Sequence, residues 1–359
     1  MLCFACAHAP VPIPSHLRIR IMTIPALSVI ESDRPEKWQQ ILSDLITDPK
    51  DLLQILGLDP AAYPGSHDAL AQFPLKVPRP FVARMEKGNW RDPLLMQVLP
   101  VISETLTDPS LGTDPLGETD ANPVPGLLHK YHGRVLLTTV PHCAIHCRYC
   151  FRRHFAYAEN SPSRSEWARV IDYIRSDTTI EEVIFSGGDP LAASDRQLDW
   201  LMSQVADIDH VTSLRLHTRL PVVIPQRVTP GLLGVLRRKR VKVVMVIHCN
   251  HANELDSGVN AALSAIADNG VILLNQSVLL KDVNDNIVAL VDLSKKLIQQ
   301  HVLPYYLHLP DKVAGTAHFQ VSTEYGSHLV QQMQQQLPGY LVPNLVREAA
   351  GETSKTRLA

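Results

Sequence analysis

Residues 133–155 read GRVLLTTVPHCAIHCRYCFRRHF: a β-branched run, a proline, then cysteines at 143, 147 and 150 in C-x3-C-x2-C spacing. A run of this kind is a short buried strand, and a polar loop following it at once is where an α/β fold gathers its chemistry. Five more such runs follow: EVIFS (182–186), SLRLHT (213–218), VKVVMVIH (241–248), VILLNQSV (271–278) and LPYYLHL (303–309). Between them lie amphipathic stretches with helical spacing: SRSEWARVIDYIRSD (163–177), SDRQLDWLMSQVAD (194–207), TPGLLGVLRRK (229–239) and NIVALVDLSKKLIQQ (286–300). Ser163 and Glu166 open the first of these as a capping box. Strand and helix alternating at about thirty residues is the βα unit, and repeated right-handed units build a parallel sheet that curls toward a barrel. Six units predict an open, partial (βα)6 barrel with its reactive loops at the C-terminal strand ends.

Upstream, residues 35–106 carry helical spacing in WQQILSDLI and DPLLMQVLPVISE, which predicts an N-terminal helical region. TDPLGETDANPVPG (113–126) is rich in turn formers and reads as a connector. The domain reading is 22–126 for the helical region and connector, 127–320 for the (βα)6 core, and 321–359 for a C-terminal helix and terminal segment. Residues 1–21 read as a poorly ordered upstream extension, with an ordinary start at Met22 and little weight on Cys3 and Cys6.

Thirty-four Lys and Arg against 36 Asp and Glu leave a formal charge of -2, so no basic field exists to hold nucleic acid or an anionic membrane. No run of about 18 apolar residues appears, which argues against a spanning helix. Six cysteines in 359 residues are too few for a disulfide scaffold, and the N-terminus lacks the order of a signal peptide, so a reducing, cytoplasmic setting is expected. The sequence leaves self-association open.

Three thiols on one loop suit an iron–sulfur cluster whose fourth iron keeps an open position. They also suit a zinc site completed by His142, His146 or His154. The turn GGDP (187–190), directly after the second run, is either an ordinary turn or a place where backbone approaches a ligand closely. His248–Glu254 (HCNHANE) reads as a turn with satisfied histidines, and Cys249 as a small buried residue. Lys355, taken alone, is a surface lysine, and Lys130, Tyr131 and Arg134 a solvated edge.

The cysteine loop resembles that of the radical S-adenosylmethionine enzymes. Within them the chain resembles the L-lysine 2,3-aminomutase family across residues 110–359, through DPLGE, VPGLLHKY, CRYCFRR, SGGDPL, LPVVIPQRVT, NQSVLLKDVND and the terminal lysine. The resemblance implies that Cys143, Cys147 and Cys150 bind a 4Fe-4S cluster whose open iron chelates S-adenosylmethionine, with Gly187, Gly188 and Asp189 against its methionine portion. It implies that Lys355 forms a Schiff base with pyridoxal 5'-phosphate, whose phosphate meets Lys130, Tyr131 and Arg134; Lys130 stands where an arginine is more usual. It further implies that Arg152 pairs the substrate carboxylate and that Asp311 and Glu348 face the distant ammonium of lysine, Glu348 being one methylene longer than the usual Asp.

The expected reaction is conversion of L-lysine to β-lysine. The short EpmB type, which supplies β-lysine for modifying elongation factor P with its lysyl-ligase, is the nearest subgroup: the sequence stops soon after Lys355, Glu stands seven residues before that lysine, and no cysteine-rich tail follows. A stand-alone lysine or, less well matched, glutamate aminomutase is the alternative reading. From another class, a non-catalytic iron–sulfur or zinc protein would explain the cysteines while leaving Lys355, Asp311 and GGDP without roles.

Overall fold

The computed structural model describes residues 38–237 and 240–359; Cys3, Cys6 and the 1–21 extension lie outside them. Nine strands form one sheet whose spatial order is the order of the chain: β1 (Leu127–Tyr131), β2 (Arg134–Val140), β3 (Glu182–Gly187), β4 (Ser213–Thr218), β5 (Lys242–His248), β6 (Ile272–Val278), β7 (Val302–His308), β8 (Asn344–Arg347) and β9 (Thr356–Arg357). The six expected strands are β2–β7, all parallel. β8 extends the parallel set, whereas β1 and β9 cap the two edges antiparallel to β2 and β8. The sheet does not close on itself. The C-terminal segment was expected as a helix with a lysine tail; its helix is Thr323–Gln336, and two short strands follow it.

Registered residues of parallel neighbours point to the same face, and here the two faces differ in chemistry. Val183, Phe185, Leu214, Leu216, Val243, Met245, Ile247 and Leu273 are buried in the main core. Against this face pack helices such as Arg164–Ser176, Asp195–Ala206 and Ser257–Asp268, through side chains including Val170, Leu198 and Val259. The opposite face carries Ser186, Arg215, His217, His248, Gln276, Tyr306 and His308, spaced by two along their strands. A sheet covered by helices on one side is therefore lined with polar groups on its concave side.

The capping box at Ser163 and Glu166 is present, with Glu166 Oε2 accepting from the Ser163 amide at 2.7 Å. The N-terminal region departs from its expected form. Helices run Trp38–Ser43 and Pro49–Leu56, but DPLLMQVLP is a chain of turns, pinned by Asp92 Oδ1, which accepts from the amides of Leu94 and Leu95 at 2.8 and 2.9 Å. Prolines at 93 and 100 bracket it, and its apolar side chains Leu94, Leu95, Val98 and Leu99 are buried without regular helix. That region shares one hydrophobic core with the sheet, so the described residues form a single compact unit.

Candidate active site

The chemistry gathers at the C-terminal ends of the parallel strands, where the cysteine loop leaves β2. Cys143, Cys147 and Cys150 are free, half-buried thiols close enough to act on one another electrostatically. Burial first, then its neighbour Cys147, pushes the Cys150 thiol up to about 12, while Arg152 opposes. Such thiols ionise only when a cation takes the charge. The loop is held by what the N-terminal region supplies. Glu104 lies between Arg148 and Arg153, its carboxylate accepting from Arg148 Nε at 2.8 Å and Arg153 Nη2 at 3.0 Å. Both guanidiniums lie over the Phe73 ring, at 4.9 and 4.8 Å. The amides of His146 and Arg148 donate to the carbonyls of Lys76 and Gln97, each at 2.9 Å.

His146 and His154, two of the three histidines considered for zinc, spend ring nitrogens on the carbonyls of Pro74 (2.9 Å) and Ala314 (3.3 Å). Among the described residues no group of three His, Cys, Asp or Glu side chains is poised around a single ion. Three thiols set apart on one loop suit a multi-iron cluster, where each ligates a different iron, better than one tetrahedral ion.

The glycine turn after β3 packs on the start of this loop. Gly187 has φ +110°, and a Cβ there would meet the Val140 carbonyl at 2.8 Å; one on Gly188 would run into the His142 carbonyl. The glycines thus admit protein backbone at these positions. Asp189 is buried and uses both oxygens internally: Oδ1 accepts from Thr218 Oγ1 (2.6 Å) and the Leu191 amide (3.0 Å), Oδ2 from the amides of Arg219 (2.7 Å) and Leu220 (3.0 Å). Its carboxylate therefore braces the loop after β4, where the sequence had suggested direct cofactor contact.

Arg152 is buried, and Glu118 grips it bidentately, accepting from Nε at 2.8 Å and Nη2 at 2.7 Å. Nη1 reaches Ser186 Oγ at 3.1 Å. Glu118 comes from the connector expected only to turn, so sequence reasoning missed it. The DPLGE motif was the signal available.

At the other end of the site Glu348, just past β8, joins three groups. Its Oε1 accepts from Lys130 Nζ and Tyr131 Oη, each at 2.9 Å, and its Oε2 from Lys355 Nζ. Burial would raise this carboxyl, but Lys355 and Lys130 hold it well below the usual range. Arg134 lies over the Tyr131 ring at 4.7 Å, completing the expected Lys130, Tyr131 and Arg134 group beside Lys355. Asp311, after β7, has no hydrogen bond to its carboxyl among the described residues; burial, then Glu348, raises it to about 7 against the pull of Lys355. Two histidines of the concave face complete the pocket, and neither was singled out from sequence. Burial and Lys355 push His308 down to about 3. His217 is held well below its usual value by burial, Arg215, Lys355 and Arg152, and its Nε2 has no partner.

The orphaned His217 nitrogen and the unpartnered Asp311 carboxyl lie in one electrostatic neighbourhood with Arg152 and Lys355. Buried polar atoms are rarely left so, and their presence fits a pocket built for polar ligands. Lys355, backed by two further cations and a phenol, fits an aldehyde-bearing, phosphorylated cofactor.

Residues 137–245 match the family model described as the radical SAM superfamily. The chain is 48% identical over 324 residues to L-lysine 2,3-aminomutase of Escherichia coli (strain K12), covering 90% of this chain and 94% of that protein. It is 48% identical to L-lysine 2,3-aminomutase of Haemophilus influenzae, covering 90% of this chain and 96% of that one. Among solved structures, a radical SAM methyltransferase from Sphaerobacter thermophilus superposes with a TM-score of 0.45 at 15% identity, over 62% of this chain and 68% of that one.

Proposed function

The chain belongs to the L-lysine 2,3-aminomutase family of radical SAM enzymes, and from that premise we propose that it converts L-lysine to β-lysine with pyridoxal phosphate held by Lys355. The observation that carries this reading is the meeting of the cysteine loop and the Lys355 pocket at one end of one sheet: Glu118 grips Arg152 beside Cys150, and the same carboxylate acts on Asp311, as do Glu348 and Lys355.

When bound, a 4Fe-4S cluster with S-adenosylmethionine supplies a hydrogen-abstracting radical, and pyridoxal phosphate supplies the aldehyde that carries a migrating nitrogen. Cys143, Cys147 and Cys150 would hold the former; Lys355, Lys130, Tyr131 and Arg134 would hold the latter. The rest is placement by this chain's side chains. Arg152 receives the substrate carboxylate. Glu118 on Nε and Nη2, and Ser186 on Nη1, hold the guanidinium in one orientation for that carboxylate. Asp311 and Glu348 receive the distant ammonium. Glu348 Oε2, which accepts from Lys355 Nζ, would be free for the substrate ammonium whenever Lys355 held the cofactor. The two ends are thus pinned, and C2 and C3 lie between them. Neutral amino acids leave the Asp311 carboxyl without a partner and are rejected.

The test is an anaerobic assay of the reconstituted protein with L-lysine, S-adenosylmethionine, pyridoxal phosphate and a reductant, separating α- from β-lysine. β-Lysine is expected; its absence from a sample with intact iron and bound cofactor moves the substrate to another amino acid or a protein-bound lysine. The finer reading is that the product modifies elongation factor P. Glu348 in place of the family's usual Asp supports it, and mass analysis of elongation factor P from cells with and without the gene tests it.

A further inference from the structure

Arg219, the first residue after β4, has no part in the site as described so far. Its backbone is fixed by Asp189, which accepts from its amide at 2.7 Å, and its side chain is buried. The guanidinium then joins three other segments of the chain. Nη1 donates to Cys147 Sγ at 2.7 Å and to Tyr149 Oη at 2.8 Å; Nη2 donates to Gln97 Oε1 at 2.8 Å and Glu254 Oε2 at 3.0 Å. Glu254 is fully buried, and its other oxygen accepts from Gln97 Nε2 (3.2 Å) and the amides of Asn250 (2.9 Å) and His251 (3.1 Å). The carboxylate is therefore held whether or not the guanidinium is there. Burial pulls the guanidinium down, but Cys147, Tyr149 and Glu254 keep it well above its usual value.

A buried guanidinium already balanced by a carboxylate gains little by turning a donor onto a thiol, unless that sulfur carries charge. A ligating thiolate does, and it gains more negative charge when an electron is added to the iron it holds. N–H donors and nearby cations favour the reduced state of such clusters, and nearby anions disfavour it. Of the cysteines on the loop, Cys147 alone receives this donor.

We propose that Arg219 is a positioning residue that raises the reduction potential of the cluster by donating to Cys147 Sγ, with Glu254 as the counter-charge that limits the effect. The inference rests on the reading of Cys147 as a cluster ligand. A merely structural role would make loss of either partner loosen the same loop and move the potential the same way. An electrostatic role demands opposite signs: Arg219→Met makes the potential more negative, and Glu254→Gln, which leaves the guanidinium uncompensated, makes it less negative.

The experiment is an EPR-monitored redox titration of the anaerobically reconstituted full-length protein and both variants without S-adenosylmethionine, with iron and sulfide counted in each. Opposite shifts at unchanged iron content are the expected result. Shifts of the same sign, or none, overturn the inference while leaving the ligand reading intact. Unaltered protein that takes up no iron overturns both. If Arg219→Met does not retain its iron, Arg219→Lys carries the test: it keeps the charge but not the fork, so its potential falls below that of the unaltered protein, and an unchanged potential overturns the proposal.

Discussion

The two ends of the site are built in opposite ways. Around the cysteine loop nearly every charged group already has a protein partner: Glu104 with Arg148 and Arg153, Arg219 with Glu254 and Gln97, loop amides with carbonyls of the N-terminal region. Around Lys355 a single carboxylate, Glu348, serves two lysines and a tyrosine, while among the described residues the Asp311 carboxyl has no hydrogen bond and His217 has an orphaned nitrogen. At the first end the charges are matched within the protein, although Arg153 Nε, Arg219 Nε and both His318 nitrogens lack hydrogen-bond partners; at the second it is a carboxyl that lacks one. The difference teaches where to look for an exchangeable cation: at the carboxyl whose surroundings leave it unfavourable.

The sharpest way to break this comparison is to remove one end and ask whether the other survives. Both Cys147→Ala and Lys355→Ala are expected to abolish turnover; the first loses iron while retaining the absorbance of bound pyridoxal phosphate, and the second loses that absorbance while retaining iron. Spectra and iron analysis of both variants check this, and cross-loss would mean that the two ends are not independent. Next in size, Arg152→Met leaves Glu118 buried and unpaired. Losing one partner of such a pair costs about 3–5 kcal/mol of stability and lowers the melting temperature, while loss of the group that receives the substrate carboxylate lowers kcat/KM for lysine on the order of 10²–10³-fold.

Asp311 offers a test through pH. Its folded value of about 7 lies above the ordinary carboxylate value, so the free protein holds a proton there below pH 7. A bound ammonium favours the carboxylate, so lysine binding at pH 6 releases a proton and KM falls as pH rises from 6 to 8. Calorimetry in two buffers of different ionisation enthalpy reads the proton directly, and Asp311→Asn removes it while weakening lysine by about 10- to 100-fold. The same raised value makes Asp311 a source of instability that grows as pH rises from about 4 through 7, so Asp311→Asn also flattens the melting temperature across that window. The smallest effect expected is from Tyr131→Phe. It deletes one hydrogen bond to Glu348, worth about 1 kcal/mol, and weakens pyridoxal phosphate about fivefold in a fluorescence titration.

The regular part of the fold was legible because its signals are local. β-Branched runs, helical spacing and the Ser163–Glu166 capping box need only neighbouring residues to be read, and all six runs became β2–β7. The turns of DPLLMQVLP were misread as helix because burial of four apolar residues mimics a helical stripe, while the prolines at its ends, and Asp92, which caps backbone amides, oppose regular helix. β8 and β9 are four and two residues long, too short for a periodic pattern. The cysteine spacing is also local. Glu118, His217, His308, Arg219 and Glu254 are not: each owes its place to strands brought together across the sheet, and in SLRLHT the alternation that exposes Arg215 and His217 on the concave face looks the same as that of a solvated strand.

β1 to β9 lie in space as they lie in the chain, so each strand pairs only with the one made before it and no strand waits for a distant partner. On a ribosome such a sheet grows from one edge as the nascent chain emerges. The cysteine loop and its N-terminal supports belong to the first strands to form, and Arg219 and Glu254 follow with β4 and β5. Lys355, carried against the last pairing of β9 on β8, is translated after all of them. The segments proposed to cradle iron are therefore made before the lysine proposed to hold the second cofactor.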